Sequence, residues 1–193
     1  MIDLIDLAKV RAQSTDLDDL QLVLKQLIGQ PFLSFRISYG DELRIHLGEG
    51  RPLDYPRLKG MVSGSHVIGT RASSWSVRSE PQAVLLTCDA GDPDGEETKV
   101  PSERSRDIHI IEAGTYIAPG TILRLATAIN VKGGYGLWLK FTDDSEIFVI
   151  PPPPGPPTPE DIEWPVADWE VITPNERLLV VGPGRSWSYP DSR

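Results

Sequence analysis

The stretch LSFRISYGDELRIHLG, Leu33–Gly48, decides the fold class of this chain. Apolar and polar residues alternate on both sides of Gly40 and Asp41, and a period of two is typical of strands with one buried face. Glycine accepts the positive φ of a tight hairpin turn. The stretch therefore predicts a β-hairpin. The side chains predicted to share its core face are Leu33, Phe35, Ile37, Leu43, Ile45 and Leu47.

Segments on both sides of this hairpin extend the pattern. Residues 14–29, STDLDDLQLVLKQLIG, have apolar positions at helical spacing, which predicts a helix capped by Thr15 and ended at Gly29. Short apolar segments joined by Gly and Pro follow, and such a series is typical of antiparallel sheets. The chain is predicted to be mostly β (α+β), with antiparallel strands in a sandwich or barrel and the N-terminal helix packed on the sheet. The predicted strand segments are SHVIGTRA, SWSVR, AVLLTC, IHIIEA, TILRLATAIN, GLWLKF, EIFVI, DWEVIT and RLLVVG.

The order of these segments predicts one globular domain. It comprises an N-terminal helical segment (1–29), a first β unit (30–90), an acidic and polar loop (91–107) and a second β unit (108–193). A proline-rich crossing at 151–160 interrupts the second unit. Proline runs favour the extended polyproline II conformation, so this crossing is expected to be a stiff exposed connection.

The two β units show a weak internal match. Residues 29–46 align without gaps to residues 133–150, and the segment that begins at Trp75 resembles the one that begins at Trp169. Two hairpins share alternation in any case, so the match fits either chance or duplication. Duplication would give two ββ…ββ units related by a pseudo-two-fold axis.

Composition excludes several classes of function. The formal net charge of −9 disfavours nucleic-acid binding, which requires clustered Lys and Arg. Cys88 is the only cysteine, so no internal disulfide forms. No apolar run approaches the roughly 18 residues of a membrane span, and the N-terminus lacks a basic signal-peptide start. The sequence thus predicts a cytoplasmic protein with no membrane association. It contains no zinc-spaced Cys/His set, Walker loop or dinucleotide fingerprint, so neither a metal nor a cofactor is predicted.

Two polar segments are candidate binding surfaces. The segment GSHVIGTRASSW (64–75) and the C-terminal segment from residue 182 each combine arginine with aromatic and hydroxyl side chains, which are common at protein interfaces. In the alternative interpretation, Arg71 pairs with the protein's own acids, Trp75 fills the core, and the C-terminal aromatics dock on the sheet. The candidate binding residues are His66, Arg71, Ser74, Trp75, Arg185, Trp187 and Tyr189.

Three functions remain open from the sequence. The leading hypothesis is a non-enzymatic interaction protein, immunity- or adaptor-like, whose acidity steers it toward a partner with a basic surface. The second is a small hydrolase or isomerase that uses Asp41, Glu42 or His66. The third is a barrel that binds a small molecule or sugar. Its lining would be Trp75, Trp138 and Trp169.

Overall fold

A computed structural model describes residues 15–37, 42–53, 60–71, 73–79, 82–88, 117–153, 167–174 and 177–189. Helix α1 (Leu17–Leu24) continues into a 3-10 turn (Lys25–Leu27) and precedes the strands. The strands of the described residues are β1 (Phe32–Ile37), β2 (Leu43–Pro52), β3 (Val62–Gly69), β4 (Ser74–Ser79), β5 (Gln82–Cys88), β6 (Leu123–Val131), β7 (Gly134–Phe141), β8 (Glu146–Ile150), β9 (Trp169–Ile172), β10 (Leu178–Val181) and β11 (Trp187–Ser188).

The strands form two antiparallel sheets that enclose one hydrophobic core. The six-stranded sheet has the order β1-β2-β3-β9-β10-β11, and the five-stranded sheet has the order β5-β4-β8-β7-β6. Alternate residues of both sheets, together with the apolar side of α1, belong to one buried cluster. This arrangement confirms the predicted mostly β, antiparallel fold with a helix packed on the sheet, and the described strands form two open sheets.

The hairpin predicted from Leu33–Gly48 is β1 and β2, paired with Phe35 opposite Ile45 and Ile37 opposite Leu43. The prediction for Leu33 was wrong, because the register shifts between Phe32 and Ser34. A bulge of this kind turns one residue out of the alternation. Phe32 consequently occupies the core in place of Leu33, and its ring meets Phe35 edge to face at 5.8 Å.

Helix α1 covers the edge of the five-stranded sheet. Its cap is Asp16, rather than the predicted Thr15, since the Asp16 carboxylate accepts the backbone N–H groups of Asp18 and Asp19. Near the middle of the helix, the Gln21 amide donates to the Ala128 carbonyl at 2.6 Å and accepts the Ala128 N–H at 3.2 Å. The amide thus occupies backbone groups on the edge strand β6 that would otherwise be open to pairing.

Buried aromatic side chains join the helix to both sheets. The Trp169 indole, on β9 of the six-stranded sheet, donates to the Tyr135 carbonyl on β7 of the five-stranded sheet at 2.6 Å. The Tyr135 hydroxyl donates to the Thr15 carbonyl, and the Trp187 indole donates to the Asp16 carbonyl. These bonds fix the start of α1 against both sheets at once.

The far end of the β2–β3 hairpin bends over the outer face of the six-stranded sheet. Arg36 lies opposite Arg44, whereas Val62 lies opposite Pro52, about 26 Å further along a straight strand. The Arg36 guanidinium nevertheless donates to the Val62 carbonyl at 2.7 Å. The bend occurs at Gly48, whose φ is +82°, where the β2–β3 register shifts. We call the bent part, residues 48–52 and 62–65, the β2–β3 arm.

The two sheets share a pattern of strand order. The first half of the chain supplies β1–β5, and the second half supplies β6–β11. One sheet contains β1-β2-β3 followed by the hairpin β9–β10 of the second half. The other sheet contains β6-β7-β8 followed by the hairpin β4–β5 of the first half. Trp75 of β4 and Trp169 of β9 open the two exchanged hairpins, as in the sequence match. The match of 29–46 with 133–150, however, pairs the edge strand β1 with the interior strand β7, whereas strand order pairs β1 with β6. Duplication remains a prediction.

Several sequence predictions lie outside the described residues. They are the turn at Gly40 and Asp41, the loop 91–107, the strand IHIIEA and most of the proline-rich crossing after Pro153. The division of the chain into the predicted units also stays a prediction.

Replacing Phe35 by Ala should destabilise the fold, because the ring is buried against Phe32 in the shared core. We expect a loss of about 3–5 kcal/mol in the free energy of unfolding, measured by urea denaturation. Leu22→Ala, in the exposed part of α1, is the control and should change the free energy of unfolding by less than about 0.5 kcal/mol. A small loss for the Phe35 variant would contradict the hairpin register.

Candidate functional site

The structure separates the candidate binding residues into buried and exposed groups. Trp75, Trp187 and Tyr189 belong to the hydrophobic core, so their rings do not form an exposed apolar anchor. Ser74 is half-buried on β4, and Arg185 is exposed in the turn between β10 and β11. The aromatic residues of the two candidate segments therefore contribute to the core, and the binding role of these segments stays a prediction.

Arg71 pairs with the protein's own acids. Its guanidinium lies 2.7 Å from the Glu170 carboxylate and 3.8 Å from that of Glu42. The two carboxylates flank Gly69 on the outer face of the six-stranded sheet, and both are buried. The Arg71 side chain, at 37% exposure, thus bridges the start of β2 to β9.

His46 and His66 lie near the bend of the β2–β3 arm. The Gly64 N–H donates to His46 Nδ1 at 3.2 Å, so the proton of the neutral ring resides on Nε2, which has no hydrogen-bond partner among the residues that the structure describes. Burial, with the nearby Arg36 and Arg44, lowers the pKa of His46 to about 4. Burial also lowers the pKa of His66. Both imidazoles are therefore neutral at pH 7.

The residues of the enzyme hypothesis do not form a catalytic group within the described chain. His66 Nδ1 lies 3.2 Å from the Ser65 hydroxyl, but no described carboxylate is hydrogen-bonded to His66 to orient it as a base. Glu42 contacts Arg44 at 3.3 Å as well as Arg71, and Asp41 lies outside the described residues. Among those residues, no three His, Cys, Asp or Glu side chains form a possible metal site.

The tryptophans of the sugar-binding hypothesis are also divided between locations. Trp75 and Trp169 are in the core, whereas Trp138 projects from β7 to the opposite side of the five-stranded sheet. Leu137 and Leu139, on either side of Trp138 in the sequence, face the core. The alternation that buries these two leucines places the indole on the outer face.

A row of four side chains crosses this outer face. Thr127 lies opposite Trp138, Trp138 opposite Phe148, and Phe148 opposite Ser76. The rings of Trp138 and Phe148 stack at an interplanar angle of 10° with centroids 5.7 Å apart, and both are half-buried. Ile150, at 46% exposure, adds to the apolar surface beside them. We call Thr127, Trp138, Phe148 and Ser76 the aromatic row.

The next row carries charges. Lys140 lies opposite Glu146, which lies opposite Arg78. The Lys140 ammonium contacts the carboxylates of Glu146 at 3.1 Å and Asp144 at 3.7 Å, and Arg124 also pairs with Asp144, so two cations balance two carboxylates. Exposed Arg78 has no ion-pair partner among the described residues, and its guanidinium lies 4.8 Å from the centre of the Phe148 ring.

This face combines two features that are used in recognition. The solvent side of a sandwich sheet ordinarily carries polar residues, so a stacked pair of large aromatics there is an unusual apolar surface. An arginine on an aromatic ring keeps its N–H edge available for a carboxylate. We therefore take the aromatic row with Arg78 as the candidate binding face. Sequence reasoning named Trp138 only within the sugar-binding hypothesis and missed Phe148 and Arg78.

The comparisons with known proteins gave no match, whether with family models, curated proteins or solved structures. Within the described residues, no helix has the length and apolar character needed to cross a membrane.

Replacing Arg71 by Ala should lower stability, because Glu42 and Glu170 would remain buried without their shared cation. We expect a loss of about 1–3 kcal/mol, less than the 3–5 kcal/mol of a fully buried pair, since solvent screens the partly exposed guanidinium. Arg71→Lys should restore part of the loss in thermal and urea unfolding. Arg185→Ala is the matched control for an exposed arginine and should be near neutral. Equal stability of the Arg71 and Arg185 alanine variants would show that the bridge is dispensable.

His46 should make the fold sensitive to acid. Because its pKa is lower in the folded chain, at about 4, than the ordinary 6.5, the unfolded state binds the proton more tightly. Its contribution to stability is present above pH 6.5 and is lost as the pH falls toward 4, by up to about 3 kcal/mol. His46→Gln should flatten the stability profile over that interval. An NMR titration of the His46 ring with a midpoint near 6.5 would contradict this prediction.

Proposed function

We propose that the protein is a non-catalytic interaction protein that binds a peptide segment of a partner on the outer face of its five-stranded sheet. The observation that carries the proposal is the stacked pair Trp138–Phe148 beside an arginine without an ion-pair partner among the described residues. Aromatic and arginine side chains are the residues in which interface binding energy concentrates.

The geometry favours a partner segment that places an acidic side chain beside an apolar one. Arg78 would receive the carboxylate, while the rings of Trp138 and Phe148 would receive the apolar group. Lys140 is already neutralised by Glu146 and Asp144, so Arg78 is the cation that supplies the charge preference. An ion pair at this edge contributes little alone, and the adjacent ring contact gives it a defined geometry.

This partner differs in charge from the one expected from the sequence. Acidic and basic residues nearly balance among the described residues, whereas the acidic excess behind the net charge of −9 lies in other stretches such as DAGDPDGEE, residues 89–97. A partner with a basic surface remains a proposal that depends on those stretches. The candidate face itself favours an acidic segment.

Several observations support binding rather than catalysis. Glu42 is held between two arginines, and the Ser65–His66 contact has no hydrogen-bonded carboxylate among the described residues. The polar groups that the enzyme hypothesis requires thus serve ion pairs and local hydrogen bonds. A cytoplasmic location also stays a proposal.

The test is selection of peptides from a random 12-residue phage-display library with the full chain. We expect the selected peptides to carry Asp or Glu within two positions of an aromatic or aliphatic residue. Arg78→Ala and Trp138→Thr should each weaken binding of a selected synthetic peptide at least about ten-fold, the loss of one interface anchor, with little change in melting temperature.

Arg124→Ala is the matched control, because Arg124 is an exposed arginine of the same sheet that is already paired with Asp144. It should change peptide affinity less than about two-fold. Selected peptides that lack acids, or that bind both test variants normally, would contradict the proposal. A glycan array run with the same protein provides the other arm. Binding there, lost in Trp138→Thr and without any peptide selection, would favour the sugar-binding hypothesis instead.

A further inference from the structure

Asp168 has a buried carboxyl group that lies beside the backbone of two glycines, Gly134 and Gly182. It directly precedes β9 and is only 4% exposed. A methyl group on Gly182 would overlap its carboxylate, and one on Gly134 would lie 3.2 Å from Oδ2 and 2.7 Å from the Gly184 carbonyl oxygen. Gly182 and Gly184 are in the β10–β11 turn, and Gly134 begins β7. The carboxyl group therefore lies where the β10–β11 turn meets the β6–β7 turn.

The hydrogen bonding of this carboxyl group is incomplete. The Gly184 N–H bonds the carboxylate, but Oδ2 is buried and has no hydrogen-bond partner in the described part of the chain. The backbone of Asp168 is fixed independently, because its N–H donates to the Val181 carbonyl and its carbonyl accepts the Ser73 hydroxyl at 2.7 Å. The main chain at Asp168 is therefore held by hydrogen bonds that do not involve its carboxyl group.

No charge compensates this group among the described residues. Lys132 of the β6–β7 turn and Arg185 of the β10–β11 turn are exposed and form no ion pair with Asp168. Glu170 of β9 pairs with Arg71. A carboxylate in such surroundings is disfavoured relative to the neutral acid. Burial accordingly raises the pKa of Asp168 to about 6, against the opposing effect of the Gly184 N–H.

We propose that Asp168 is a proton-dependent clasp: the neutral carboxyl group holds the β10–β11 turn against the β6–β7 turn, and the charged carboxylate loosens that contact. The junction contains the buried end of β9, next to the Trp169–Tyr135 bond that joins the sheets. Loosening there increases local opening of both turns without unfolding the core. This inference is independent of the binding function proposed above.

The direction of the pH effect follows from proton affinity. The pKa of Asp168 is about 6 in the folded chain and near 3.8 in the unfolded chain. The folded chain therefore binds the Asp168 proton about a hundred times more tightly. The clasp is complete below pH 4 and is lost as the pH rises through about 6. His46 acts in the opposite direction over the same interval, and His66 also opposes Asp168, because burial lowers the pKa values of both histidines. Total stability of the wild type therefore cannot report on Asp168 alone.

The experiment compares the wild-type protein with Asp168→Asn between pH 4 and pH 8. The ratio of their unfolding equilibrium constants should change by up to about a hundred-fold across this range, with the variant gaining in relative stability as the pH rises. Glu49→Gln, at an exposed acid of the β2–β3 arm, is the control and should give a constant ratio. A constant ratio for Asp168→Asn would overturn the proposal.

Two measurements on the wild type keep the test decisive if the variant does not fold. The side-chain carboxyl carbon of Asp168, followed by NMR, should titrate with a midpoint near 6. Amide hydrogen exchange at Gly134, Gly182 and Gly184, corrected for intrinsic base catalysis, should quicken through the same midpoint by a larger factor than exchange in the interior of the core strands, at Leu137, Leu139 and Val171. A midpoint near 4, or exchange that quickens equally in the core strands, would overturn the clasp.

Discussion

The bond from the Trp169 indole to the Tyr135 carbonyl fixes how the two sheets lie against each other. A buried indole N–H without an acceptor is costly, so the carbonyl of the opposite sheet stabilises the enclosed Trp169 ring. Tyr135 and Trp187 extend the same constraint to the start of α1 through Thr15 and Asp16. The position of the helix, the closed core and the glycine-rich junction beside Asp168 all depend on this alignment.

Much of this fold is present in local sequence pattern. Alternation around Phe35 and Ile45 predicts the first hairpin, and apolar spacing predicts α1, because both depend on which residues must leave water. Leu33 was misplaced because a bulge is set by the pairing of two strands and leaves no mark in one of them. At the start of α1 the sequence offers two capping residue types side by side, and the structure uses Asp16, while the Thr15 carbonyl accepts the Tyr135 hydroxyl.

The candidate face was harder to predict than the fold. Trp75 and Trp138 both lie in alternating strands, and only the packing of the sheets determines that one is enclosed and the other faces outward. Phe148 and Arg78 come together through the pairing of β4 with β8, which are far apart in the sequence. The surroundings of Asp168 were equally hard to predict, because its carboxyl group lies between two turns that are distant in the sequence. Spacing along the chain carries none of this information.

The exchange of hairpins between the two halves has a consequence for folding. Since β4–β5 completes the sheet of the second half and β9–β10 completes that of the first, neither half encloses its own apolar surface. Two chains that refold together can form the same contacts between them if the first half of each chain packs against the second half of the other. The segment between Cys88 and Leu123 would then connect the two exchanged halves. The resulting domain-swapped dimer would reuse every native strand pairing and require no new interface. During refolding at high protein concentration, folding of the monomer therefore competes directly with formation of the swapped dimer.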